Sequence, residues 1–195
     1  MRQLHENAIP SPALDAEILL SYVLKKPKVF LYTYSKKTLS LSHMRQFKHF
    51  LKERLLHKPI AYITQHKEFY GLDFYVDARV LIPRPETEAL VEKALEFVKG
   101  ETAIAEVGTG SGCIIISLVK TLEKKGFDIS RMRFIATDIS KKALAVARRN
   151  AKRHSVGKYI TFYEGNLLEP VMERLEVRGA IILANLPYIT PTLYK

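Results

Sequence analysis

Apolar positions change their spacing twice along this chain of 195 residues. Near the start they recur at helical intervals. Ser11-Pro12 offers an N-cap with proline at the first helical position, and Leu14, Ile18, Leu19 and Val23 then form a stripe along one side. A second helix is predicted over roughly residues 41–57, with Met44, Phe47, Leu51 and Leu55 on one side and Pro59 ending it. Over residues 66–82 the period shortens. The aromatic and β-branched run Phe69-Tyr70-Gly71-Leu72-Asp73-Phe74-Tyr75-Val76, with glycine near its centre, predicts a β-hairpin. From residue 83 strands and helices alternate. Helices are expected over residues 86–99, 113–124 and 141–154, and strands over 103–107, 134–137, 159–163 and 180–184. Short apolar strands alternating with helices predict an α/β fold with a parallel, Rossmann-like sheet. The expected organisation is a helical domain (1–64), a hairpin linker (65–82) and an α/β domain (83–195).

Composition narrows the class. With 47% apolar and 26% charged residues the chain is of globular type. No run approaches the ~20 apolar residues of a membrane span. Pro10, Pro12, Asp15 and Glu17 leave no readable signal peptide, so the cytosol is the simplest compartment. One cysteine, Cys113, excludes a disulfide framework and an all-cysteine metal site. His5, His43, His49 and His57 lack metal-ligand spacing. Net charge is +11, divided as +6 over residues 1–82 and +5 over 83–195. Charge spread in this way fits a nucleic-acid or ribosome-associated partner, and equally a generally basic surface.

The first candidate chemistry is Glu106-Val107-Gly108-Thr109-Gly110-Ser111-Gly112, between a predicted strand and helix. Glycines there permit a tight turn and close approach of a ligand to the backbone. A dinucleotide fingerprint needs its third glycine one residue later, and a P-loop needs Gly-Lys-Ser/Thr. The compressed loop preceded by an acid instead resembles the cofactor loop of S-adenosylmethionine methyltransferases; a purely structural turn is the alternative. Asp138, ending the next strand, can accept hydrogen bonds from both ribose hydroxyls, or cap the helix that follows. In the resemblance Glu106 anchors the methionine ammonium or orders the loop. Asn166, after the third strand, stands where such loops usually carry aspartate facing the adenine amino group, and its side-chain oxygen still accepts.

The second is Asn185-Leu186-Pro187-Tyr188, closing the last predicted strand. It resembles the Asn-Pro-Pro-Tyr motif of methyltransferases that act on planar nitrogens, with Leu186 in place of the first proline. An amide or exocyclic amino nitrogen is a poor nucleophile because its lone pair is delocalised. The Asn185 side-chain oxygen and the Leu186 backbone carbonyl can accept its two hydrogens, fixing it as it attacks a sulfonium methyl group. Tyr188 can pack against the planar group, and Asn185 also borders the cofactor. This chemistry needs neither a metal nor a Ser/His/Asp triad.

Pro83-Arg84-Pro85-Glu86-Thr87-Glu88 reads locally as a rigid lead into a helix, with Thr87 and Glu88 near the positive end of its dipole. Together with Lys67-Glu68-Phe69-Tyr70-Gly71-Leu72, Pro59-Ile60-Ala61-Tyr62-Ile63 and the small helical domain, it resembles the protein-(glutamine-N5) methyltransferases that modify peptide chain release factors. The resemblance covers essentially the whole chain. It implies S-adenosylmethionine as cofactor and, as substrate, the glutamine of the Gly-Gly-Gln loop of a class-I release factor. Arg84, Pro85, Glu86, Asn185 and Tyr188 would meet that substrate. The helical domain would dock the factor, and the protein would be a cytoplasmic monomer when complete, with no membrane and no nucleic acid required. Family members continue with further strands beyond this point, so the apolar run 180–184 is expected at the sheet edge; a partial chain is the favoured expectation, and a missing half supplied by another chain is the alternative.

Two other readings compete. A nucleic-acid adenine-N6 methyltransferase shares the Asn-x-Pro-Tyr logic, but no target-recognition domain or basic–aromatic strip is evident. The basic run Lys141, Lys142, Arg148, Arg149, Lys152 and Arg153 reads as a solvated helix face. A truncated cofactor-binding remnant without turnover is the non-enzymatic alternative.

Overall fold

The computed structural model describes residues 2–172 and 180–186, and the chain divides into two compact units, Met1–Gln65 and His66–Lys195. The first holds helices α1 (Arg2–Glu6), α2 (Pro12–Leu24), α3 (Lys28–Thr33), α4 (Leu41–Leu55) and α5 (Ile60–Thr64). Leu4, Ile9, Leu19, Val23 and Ile63 are its buried apolar residues. The inward stripe of α2 differs from the expected one. Asp15, Leu19 and Val23 are buried, whereas Leu14 is exposed. The cause is an ion pair across helices: Asp15 Oδ2 accepts from Arg54 Nε of α4 at 2.6 Å, which turns an acidic position inward. Met44, expected on the inner side of α4, is also exposed. Helix α4 is capped by the Ser40 hydroxyl, which accepts from His43 N. It ends at Leu55, two residues short of the predicted 57, and His57 follows in a left-handed conformation (φ 60°). Pro59 instead leads into α5, where its missing N–H is not needed.

The second unit begins with the hairpin β1 (Lys67–Phe69) and β2 (Leu72–Phe74), antiparallel with Phe69 opposite Leu72. Tyr70 and Gly71 both take positive φ, the requirement of a two-residue hairpin turn whose twist matches the strands. Phe69 and Phe74 are fully buried in the same core as the helices and strands that follow, so the hairpin is built into this unit.

A single 3-10 turn, Pro85–Thr87, precedes α6 (Glu88–Phe97), which therefore starts two residues later than predicted. Pro85 holds Arg84 extended (φ −103°, ψ 142°). There follow β3 (Ala103–Val107), α7 (Cys113–Lys124), β4 (Arg133–Asp138), α8 (Lys141–Arg153), β5 (Ile160–Glu164) and β6 (Ile181–Ala184). The strands β4, β5 and β6 and helix α8 differ from expectation by one residue at their ends. The sheet is parallel, in the order β5-β4-β3-β6. The chain thus builds outward from β3 to β5, then returns to the other side of β3. β6 is the edge strand of the described sheet, with Leu183 buried and Ile182 exposed.

Candidate active site

Register decides which loops meet. Val107 of β3 pairs with Thr137 of β4 on one side and with Ala184 of β6 on the other, and Asp138 pairs with Glu164 of β5. The residues that follow these strands therefore emerge side by side at the carboxyl edge. Strand order reverses between β3 and β6, the position at which open parallel sheets bind ligands.

The glycine loop follows β3. Its fold needs left-handed residues at Gly108, Gly110 and Gly112 (φ 67°, 54° and 79°). Two of these have distinct roles. A Cβ at Gly110 would meet nothing within 4 Å, so this position faces open space that a ligand can enter. A Cβ at Gly112 would stand 2.9 Å from Ile116 Cδ1 and 3.2 Å from Ala147 Cβ, so this glycine lets α8 approach α7. The loop is tied down by Thr109 N donating to Thr137 O at 2.9 Å and Gly112 N to Thr109 O at 2.8 Å.

Both expected acids converge on this loop. Glu106 is buried; its Oε2 accepts from Thr109 Oγ1 at 2.6 Å and from Ile115 N at 3.2 Å. Burial raises its pKa to about 8, opposed by those two hydrogen bonds and reinforced by the charge of Asp138. Asp138 does not cap α8; Ser140 does, its hydroxyl accepting from Ala143 N. Asp138 Oδ2 accepts from Gly110 N at 2.9 Å and Oδ1 from Ser140 N at 2.8 Å. Each carboxylate oxygen has a further acceptor site, enough for two ligand hydroxyls. Asn166 is exposed after β5; its Nδ2 donates to Glu169 Oε1 at 2.9 Å, which leaves the carbonyl oxygen as acceptor.

Asn185 follows β6. Its Nδ2 donates to Thr87 Oγ1 at 3.1 Å, which brings together two segments 98 positions apart. Leu186 lies over the glycine loop, its Cδ2 2.8 Å from where a Cβ on Gly108 would be. A cleft of about 60 Å³ is bounded by Pro83, Arg84, Thr87, Glu106, Gly110 and Asn185, among others. Arg84 borders it, while Pro85 and Glu86 are exposed and do not. Pro187 and Tyr188 lie outside the described residues. Ser111, expected in the cofactor loop, is buried, and its carbonyl is taken by Asn150. The Cys113 thiol is buried and pushed up to about 12, so it is no nucleophile.

Two participants were not anticipated from the sequence. Thr87 is one. Asn150 is the other: fully buried on α8, its Oδ1 accepts from Tyr75 N at 2.8 Å while Nδ2 donates to Tyr75 O and Ser111 O at 2.9 and 2.8 Å. It ties the chain after the hairpin to the glycine loop. A signal existed, because Asn150 falls on the apolar face made by Ala143, Leu144 and Ala147. The basic face of α8 is exposed but not merely solvated. Arg149 stacks 3.4 Å from the Tyr75 ring centroid, Arg148 Nη2 donates to Phe162 O at 3.0 Å, and Arg153 pairs with Asp73. No helix of the described residues is long and apolar enough to cross a membrane.

Comparison with known proteins fits this arrangement. Residues 1–64 match the family model of the PrmC N-terminal domain. The release factor glutamine methyltransferase of Chlorobaculum tepidum is 39% identical over 94% of this chain and 63% of its own length. That of Leptospira interrogans is 42% identical over 95% of this chain and 63% of its own. The chain thus spans slightly under two thirds of the relatives it matches. Among solved structures, a human methyltransferase 10 domain containing protein superposes loosely, with TM-score 0.48 and 18% identity over 77% of this chain and 65% of its own. Along nearly all of its 195 residues the chain is similar to release factor glutamine methyltransferases, and its described sheet is parallel.

Proposed function

We propose that this chain, like the release factor glutamine methyltransferases it is similar to, supplies the docking domain and the cofactor half of an enzyme that methylates the side-chain amide nitrogen of glutamine. The substrate is the Gly-Gly-Gln glutamine of a class-I peptide chain release factor, and the site of action is the cytoplasm. One observation carries the reading: Asn185, the residue suited to hold a planar nitrogen, borders the same cleft as the glycine loop.

S-adenosylmethionine is the cofactor that the donor set fits. Gly110 leaves room against the backbone, Asp138 offers two oxygens to ribose hydroxyls, and Asn166 offers a carbonyl to an adenine amino group. Glu106 stands in the cleft wall as the partner for an ammonium. When bound, the cofactor supplies a methyl group on a positively charged sulfur. The chain's own residues do the rest. Asn185 Oδ1 and the Leu186 carbonyl accept the two hydrogens of the glutamine amide, hold its nitrogen toward the methyl group and favour its pyramidalisation. Transfer would form an N–C bond on the held amide nitrogen as the S–C bond breaks with its electrons left on sulfur, and the proton lost from nitrogen would pass to solvent. The products are N5-methylglutamine and S-adenosylhomocysteine.

The test is transfer of labelled methyl groups by the full-length gene product to purified release factor. Label on the Gly-Gly-Gln glutamine supports the reading. Label only on DNA or RNA replaces the substrate, and label on none of them leaves a cofactor-binding protein without turnover.

A further inference from the structure

The residue that stands immediately before α6 has an unexpected partner. A threonine at a helix start ordinarily uses its hydroxyl to accept from a backbone N–H two or three residues on. Thr87 does not. It is the N-cap of α6, yet it lies in the right-handed helical region (φ −71°, ψ −17°) and makes no side-chain cap hydrogen bond. Its hydroxyl oxygen instead accepts from Asn185 Nδ2 at 3.1 Å. The 3-10 turn Pro85–Thr87, which Pro85 opens, aims this hydroxyl at the end of β6.

We infer that Thr87 is the positioning residue for the Asn185 carboxamide. The inference rests on the proposed role of Asn185 as the acceptor that holds the substrate nitrogen. A carboxamide is planar, with a donor and an acceptor on opposite arms. Rotated by half a turn about Cβ–Cγ, it would present N–H groups to an amide that itself offers only N–H groups, and the substrate would be repelled. Engagement of the nitrogen arm by Thr87 leaves the oxygen arm for the substrate. Among the described residues no other side chain or backbone group bonds to the Asn185 carboxamide. Thr87 also borders the cleft beside Asn185, so its contact is made at the site rather than behind it. A hydroxyl can donate as well as accept, so the two N–H groups of the substrate amide select this orientation, and Thr87 holds the nitrogen arm in it.

Thr87→Val keeps the shape and removes the hydroxyl, and Thr87→Ser restores it. In the full-length gene product, Thr87→Val is expected to lower kcat for methyl transfer to release factor roughly ten-fold, the scale of one lost neutral hydrogen bond. Affinity for S-adenosylhomocysteine and the thermal midpoint should stay close to wild type, because no helix-capping bond is lost. Thr87→Ser should recover most of the rate. The decisive comparison is the Asn185→Ala background, in which adding Thr87→Val should have no further effect. A Thr87→Val enzyme that turns over normally overturns the inference, as does a Thr87→Val loss of equal size in both backgrounds, or a serine variant as slow as valine. A fall in thermal midpoint that alone accounts for the lost rate also overturns it, since Thr87 would then be a structural residue. The underlying reading fails separately, by Asn185→Ala alone turning over at the wild-type rate.

Discussion

The Thr109 hydroxyl donates to the buried Glu106 carboxylate across 2.6 Å, so the acid that precedes the glycine loop is also the group that folds it. Burial raises the Glu106 pKa from its usual 4.5 to about 8. The sign of the consequence is fixed by linkage. Between those two values the folded state retains a proton that the unfolded chain has released, so stability falls as pH rises from about 4.5 through about 8. Glu106→Gln removes this contribution. Urea midpoints measured at pH 5 and pH 8 should fall more for the wild type than for Glu106→Gln, and equal falls would show that the folded Glu106 is already ionised at pH 5.

The same group ties ligand binding to protons. A ligand ammonium near Glu106 favours the carboxylate form, so binding of S-adenosylmethionine near pH 7 should release about one proton at most. Calorimetry in buffers of different ionisation enthalpy reads this directly. The release should disappear in Glu106→Gln, and a release that persists there assigns the proton to another group.

Asp138 serves the loop and the proposed ribose at once. Asp138→Ala should weaken S-adenosylmethionine binding by about 1–3 kcal/mol, through lost hydrogen bonds to a charged acceptor and a released Gly110 N–H. Gly110→Val should abolish binding, because its side chain enters the open space beside the loop and a β-branched residue is strained at φ 54°. Calorimetric titration against a circular-dichroism check of folding separates the two effects. Unchanged affinity in either variant removes that residue from the site.

Asn150 is predicted to matter for stability first. Asn150→Leu would leave Tyr75 N, Tyr75 O and Ser111 O without their buried partner, at a cost of about 2–4 kcal/mol. Chemical denaturation should register that loss, and cofactor affinity should fall with it because Ser111 belongs to the glycine loop. A variant as stable as wild type would mean that water replaces the amide.

What the sequence makes legible follows from how local the physics is. Helix α7 is read to the residue because Gly112 opens it and an unbroken apolar run fills it. The hairpin turn is read from Gly71, and the carboxyl-edge placement of Glu106, Asp138, Asn166 and Asn185 from strand–loop alternation alone. Long-range polar pairing is what the pattern conceals. Asp15 turns α2 because Arg54, 39 positions away, receives it. Thr87 has the sequence context of a helix cap, and only the packing of β6 beside β3 gives it Asn185. Arg149 and Arg153 look like free charges until Tyr75 and Asp73 are brought beneath them.

The central claim is that Asn185 holds a glutamine amide for methyl transfer. Single-turnover transfer of tritiated methyl groups from S-adenosylmethionine to release factor, by the full-length gene product and its Asn185→Ala variant, tests it most directly. The account predicts label on the Gly-Gly-Gln glutamine, a rate lower by roughly 10²-fold or more in the variant, and cofactor affinity unchanged. A variant that transfers at the wild-type rate, or label that reaches only nucleic acid, would contradict it.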